Sequence, residues 1–213
     1  MYLFLFILLP AALFIYFNTW GEKKFITLAF TGLITGIIVC GIRFIFFFSH
    51  RLIPDSFFLN YFFYLVKIAL APVLVYVVFI LISRDSVDFK IKAFFPLIAS
   101  FNAIYLPYYF LTMSGSVYSN YDLFFRPIIY LAFLAGIAYA LWNTYVAVKN
   151  NDKKKKILYI VMAVVYVLIP PAIDSSYIVN RQFPFFAIIG LIYIAFPIGL
   201  AVYEKVFLIK KSE

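Results

Sequence analysis

Seven apolar stretches, at about 2–19, 25–48, 57–83, 93–112, 124–148, 157–173 and 183–207, take up most of this 213-residue chain. A helix of about 20 mostly apolar residues crosses about 30 Å of hydrocarbon, and each stretch approaches or exceeds that length. Lipid offers no partner for open backbone groups, so spanning segments are helices or closed barrels. A barrel would alternate apolar and polar residues, and these stretches do not. The chain therefore reads as all-α: a polytopic integral membrane helical bundle of about seven transmembrane helices, in one domain over 1–213. The sixth stretch is the shortest and ends at Pro170-Pro171. Six spans plus a re-entrant piece is the competing count.

Composition agrees with lipid as the solvent. Hydrophobic residues make up 66% and charged residues only 13%, too few charges to clothe a soluble domain of this length. The 28 Phe and 18 Tyr suit lipid contact and the membrane interfaces. Cys40 and His50 each stand once in the sequence. A metal site built from Cys and His needs more ligands than that, so neither a metal nor another cofactor is expected.

The first stretch, MYLFLFILLPAALFIYF, lacks a basic leader and a small-residue cleavage site. It is expected to remain as a first span. Lys23 and Lys24 follow it, which places the N-terminus outward and, with seven spans, the C-terminus inward. That arrangement gives the cytoplasmic side Lys23, Lys24, Arg84, Lys90, Lys92, Lys149, Lys153 to Lys156, Lys205, Lys210 and Lys211. The outer loops keep Arg51 and Arg181. Such asymmetry is what the positive-inside rule requires. The expected location is a cytoplasmic membrane, and the Lys/Phe/Tyr/Ile bias with compact loops points to a prokaryotic one.

The same distribution explains the net charge of +9 without nucleic acid, since the excess is spread over loops that flank spans. The run Lys153, Lys154, Lys155 and Lys156 is a topology anchor for anionic headgroups, or a docking point for an acidic partner. Membrane lipids are thus the first expected partners, followed by other membrane subunits or a second copy of the chain. Small residues at four-residue spacing let helices approach closely in lipid. Gly32, Gly36 and Cys40 in the second stretch have that spacing, as do Ala132, Gly136 and Ala140 in the fifth.

Charge at bilayer depth costs about 2.5–3.5 kcal/mol on insertion scales, so Lys67 needs a reason. It lies ten residues into its stretch, about 15 Å deep at helical rise. Arg43 and Arg126 lie shallower on the same outward half. Together with Asn102 they form a candidate pocket, open to the outside, for an anionic solute or lipid headgroup. Arginine suits bidentate contact with carboxylate or phosphate, and lysine supplies a point charge. In the plainer reading the arginines reach headgroup phosphates, while Lys67 pairs with Asp55, Asp122, Asp174 or a carbonyl.

Absences narrow the chemistry. All nine acidic residues are expected in loops or at span ends, which leaves no buried carboxylate relay for protons. No G-x-S-x-G surrounds a serine, and no phosphate-binding loop of the Walker type occurs. The sequence points away from an enzyme. It points to a transport-related membrane protein, a substrate-binding or permease-like component. The alternatives are a non-catalytic structural or assembly subunit of a membrane complex, and a lipid-modifying enzyme that uses an outer aspartate.

Overall fold

A computed structural model describes residues 23–46, 56–113 and 126–180, with positions 188, 189, 192, 195 and 196 beyond them. Five helices long and apolar enough to cross a membrane fill it, and no strand occurs among the described residues. We number them α1 (Lys23–Phe46), α2 (Phe57–Ile82), α3 (Val87–Met113), α4 (Arg126–Lys149) and α5 (Lys153–Asn180). They correspond to the second through sixth apolar stretches. The first stretch, 2–19, and nearly all of the last, 183–207, lie outside the described residues.

α3 is the hub. Of its apolar window 72% is buried, against 12% for α2. α1 packs along one side of α3, and α4 and α2 take others. Gly32 and Gly36 make the α1 contact possible. A Cβ on Gly32 would collide with the Leu97 carbonyl oxygen, and one on Gly36 would lie 3.0 Å from the Phe101 carbonyl oxygen. The backbones of α1 and α3 approach as closely as small residues permit.

α4 and α5 form a hairpin whose turn is written in the sequence as Asn150-Asn151-Asp152. Asn151 has φ 55°, a left-handed conformation that asparagine tolerates better than most residues. Its N–H donates to the Val148 carbonyl and that of Asp152 to the Ala147 carbonyl, the two bonds that close a helix in a Schellman motif. Asp152 then opens α5, its carboxylate accepting the Lys155 N–H at 3.1 Å. Along the hairpin Gly136 faces the buried Tyr166 ring, which a Cβ would meet at 2.5 Å.

One expectation about local structure is overturned. The sixth stretch was expected to stop at Pro170-Pro171, but α5 runs through both prolines to Asn180. The prolines take away the donors that the Tyr166 and Val167 carbonyls would use. Contacts farther along outweigh that loss: Ile173, Asp174, Ser175, Tyr177 and Ile178 are all buried. The Ser175 hydroxyl also donates back to the Pro171 carbonyl at 2.7 Å. Asp174 therefore lies inside a helix and is only 1% exposed, not at a span end.

The helices alternate in direction, and their charges separate accordingly. Lys24, Arg84, Lys90, Lys92, Lys149 and Lys153 to Lys156 share one end of the bundle. Arg43 and Arg126 stand near the other. At the lysine-rich end Lys90 donates to the Ile80 carbonyl at 2.9 Å. Lys92 pairs with Asp88 at 2.9 Å and lies over the Trp142 ring. Lys24 reaches Asp85, in the α2–α3 turn, at 3.3 Å. The Ser83 hydroxyl, and after it Lys24, hold the Asp85 carboxyl below the usual carboxylate range.

Two expected outcomes follow from these contacts. Replacing Gly136 by Leu drives a branched side chain into the Tyr166 ring, and replacing Gly32 by Leu wedges α1 off α3. Both variants should lose yield and melt early by fluorescence size-exclusion thermal assay. Gly41→Ala, at a position with nothing within 4 Å of the new Cβ, should melt like the parent. A lowered folded pKa means that Asp85 stabilises the fold above its unfolded value of about 3.9, and that this contribution fades as pH falls through the folded value. In melts across a pH series, the gap between the parent and Asp85→Asn should close on acidification. A gap that widens contradicts the assignment.

Candidate functional site

The polar interior is strung along one stripe of α3. Asn102, Tyr105 and Tyr109 recur at i, i+3 and i+7 and so share a helix face. All three are buried. Facing them, α2 runs antiparallel, with Phe63 against Tyr109 at 6.1 Å between ring centroids and Tyr76 against Phe94 at 4.9 Å. Between those contacts the Tyr105 hydroxyl donates to the Lys67 carbonyl.

That carbonyl belongs to a local irregularity of α2. Residues Leu65–Ala69 form a π-helical turn, closed by the Leu70 N–H bonding to the Leu65 carbonyl. Pro72 follows and has no N–H for the carbonyls four and five residues earlier, those of Ile68 and Lys67. The extra residue of the π turn shifts the helix register ahead of the proline, and the Tyr105 hydroxyl donates to that turn from α3. Lys67 thus sits where helix hydrogen bonding is irregular, its side chain half-buried. Such π-bulges recur at functional sites.

Asn102 is one turn deeper than Tyr105 along α3. It is 0% exposed, and neither its amide nitrogen nor its amide oxygen has a hydrogen-bond partner. An unsatisfied buried polar group costs about 1–3 kcal/mol, and here a donor and an acceptor are both open. Ser100 is also fully buried with an unpartnered hydroxyl, but it faces α1, beside Gly32.

Arg43, in the last turn of α1, closes the stripe at the end away from the lysines. Its guanidinium lies 4.0 Å from the Tyr109 ring centroid and 6.0 Å from that of Tyr108. A desolvated cation over an aromatic face is worth about 2 kcal/mol. One guanidinium nitrogen, Nη1, is buried without a hydrogen-bond partner. The contact holds the charge in place and leaves donor capacity unused.

Arg126 is placed differently. At the start of α4, with 6% of its side chain exposed, its Nε donates to Asp174 at 2.9 Å. Tyr130 donates to the other carboxylate oxygen at 2.8 Å. Of the four residues singled out in the sequence, Arg43, Lys67 and Asn102 lie along α3, whereas Arg126 belongs to the α4–α5 pairing. Asp174, expected at a span end and as a candidate partner for Lys67, lies instead inside α5, where Arg126 and Tyr130 hold it. Lys153 to Lys156 are exposed at the opposite end, in the first turn of α5.

Three grooves open between described helices, and their walls are mostly apolar. None is lined by Lys67, Arg43, Arg126 or Asn102. No protein-family model, curated protein or solved structure matches this chain.

The Arg126–Asp174 pair offers a direct test of what closes the α4–α5 end. Removing one partner of a buried pair strands a charge and costs about 3–5 kcal/mol. Asp174→Ala should therefore fall well below the parent in thermal stability. The double replacement Arg126→Met with Asp174→Leu, which strands no charge, should recover most of the loss. If the double variant is as unstable as the single one, the stranded charge is not the cause.

Proposed function

We propose that this chain is a transport-related integral membrane protein, a substrate-binding or permease-like component, which takes an anionic group on the α1–α2–α3 face. The group is a carboxylate or phosphate, carried by a solute or a lipid headgroup. In this reading Lys67 supplies a point charge at mid-depth. Arg43 supplies directional donors nearer the membrane surface. Asn102 adds a neutral donor and acceptor between the helices. Arg126, held by Asp174, leaves the ligand set and becomes part of the framework.

The observation that carries the reading is the Asn102 side chain, sealed in the bundle with every hydrogen bond of its amide unmade. Buried polar groups are almost always satisfied, and an exception calls for an explanation. This exception lies one helical turn from the tyrosine that braces the Lys67 turn. A polar ligand arriving there would satisfy the amide and offset the charge.

The rest of the reading is topological. Seven spans, with the first and last added from the sequence, put the lysine-rich end in the cytoplasm by the positive-inside rule. Arg43 and the Lys67 turn then face outward. The membrane is a prokaryotic cytoplasmic one in this reading, and other membrane chains supply whatever energises transport.

Native mass spectrometry of the detergent-solubilised protein tests this. The parent should carry an anionic adduct that Lys67→Met loses while keeping its helical circular dichroism. Asn102→Leu removes the unsatisfied amide, so it should melt higher than the parent, by about 1–3 kcal/mol of stability, yet retain less adduct. Full retention by both variants would refute the proposal.

A further inference from the structure

The groove between α1, α2 and α3 at the lysine-rich end has the features of a second site, independent of the anion reading above. α1 and α2 each pack on α3 but scarcely touch one another. The gap between them is walled by Thr31 and Thr35 of α1, by Leu74, Val78 and Ile82 among others of α2, and by Leu97 of α3 at its floor. Its volume is about 610 Å³, within the range of about 300–1,000 Å³ typical of small-molecule sites.

The wall chemistry specifies the occupant. Both threonines could have offered hydroxyls to the groove, but they do not. Thr31 donates to the Thr27 carbonyl at 2.9 Å and Thr35 to the Thr31 carbonyl at 2.8 Å. With their donors returned to their own helix, the body of the groove asks for hydrocarbon. Its mouth is different. Ser83 and Asp85 line that end, where Lys24 stands 68% exposed against the Asp85 carboxylate. A negative and a positive group thus stand 3.3 Å apart at the entrance to an apolar slot.

We propose that this groove binds one phospholipid with a primary-ammonium headgroup, an acyl chain lying between α1 and α2. The lipid phosphate meets Lys24, and the lipid ammonium donates to the Asp85 carboxylate, which also accepts from the Ser83 hydroxyl at 2.7 Å but keeps 36% of its side chain exposed. An aminophospholipid matches both charges and the slot. A choline headgroup also carries positive charge but has no N–H to donate, so it loses the charge-assisted hydrogen bond. A headgroup that is only anionic meets Asp85 as a like charge.

The test is lipid titration of the full chain in detergent, read by native mass spectrometry with dioleoyl phosphatidylethanolamine, phosphatidylcholine and phosphatidylglycerol. One phosphatidylethanolamine should be retained per protein, about threefold more tightly than phosphatidylcholine, the size expected of a partly exposed charge pair. Asp85→Asn should erase that preference and leave binding at the phosphatidylcholine level. Val78→Trp, at a groove position that is 53% exposed, should fill the slot and lower retention of both lipids. Leu74→Phe, 64% exposed in the parent, gives the same readout if the tryptophan variant misfolds. Tighter retention of phosphatidylglycerol, equal retention of the two zwitterionic lipids, or undiminished retention in the filled-groove variants would overturn the proposal. Lys67→Met, which tests the anion site at the other end, should leave this preference unchanged.

Discussion

Burial of α3 is the constraint from which the remaining architecture follows. In lipid an apolar helix gains little by turning inward, since hydrocarbon surrounds it on either side. What must turn inward is polarity and backbone irregularity. α3 contains Asn102, Ser100, Pro96 and Pro107 within a single helix, and it is the most enclosed of the five. α2 and the outer faces of α1 and α5 are apolar and exposed. Phe62, Leu74 and Leu81 of α2, for example, are each more than half exposed. The surface, and not the core, is inverted relative to a soluble domain, since the buried residues are mostly apolar as well.

That inversion explains which parts of the fold were legible in the sequence. Length and apolarity were enough to locate five helices, because in a bilayer those two properties alone require a helix. Four-residue spacing marked Gly32, Gly36 and Gly136 as points of close approach, but not their partners: α3 backbone for the first two and the Tyr166 ring for the third. The Asn-Asn-Asp turn between α4 and α5 has local chemistry, yet it takes coordinates to show that both Schellman bonds form. Pro170-Pro171 misled the reading of helix length because prolines act locally, whereas α5 is continued by contacts made with α4 and with the first half of α2.

The candidate site was half legible for a related reason. Lys67, Arg43 and Asn102 stood out as polar groups at depth, a signal that any apolar stretch makes visible. The π turn was hidden. Pro72, just beyond it, is visible in the sequence, but the bond from the Tyr105 hydroxyl to the Lys67 carbonyl joins residues 38 positions apart. The pairing of Arg126 with Asp174 spans 48 positions and was concealed by the misplaced end of α5. Side-chain identity showed where polarity lay, and tertiary contact decided which of it was neutralised.

The bundle treats two buried polar groups in opposite ways, and the contrast separates framework from site. Asp174 receives a guanidinium and a hydroxyl on its two oxygens and has only 2% of its side chain exposed, so no solvent-facing lone pair is left for further chemistry. A lipid-modifying reading that needs an outer aspartate as base therefore finds Asp174 already committed. Asn102 is as deeply buried and receives nothing. Both arrangements carry a desolvation cost, but only the first recovers it within the protein. A leucine would fill the volume at position 102 without that cost, so the amide is intelligible if some polar partner reaches it. The same logic gives the π turn its place in the argument: α2 accepts irregular hydrogen bonding at the level of Lys67, where α3 already offers Tyr105 and, one turn deeper, an open amide.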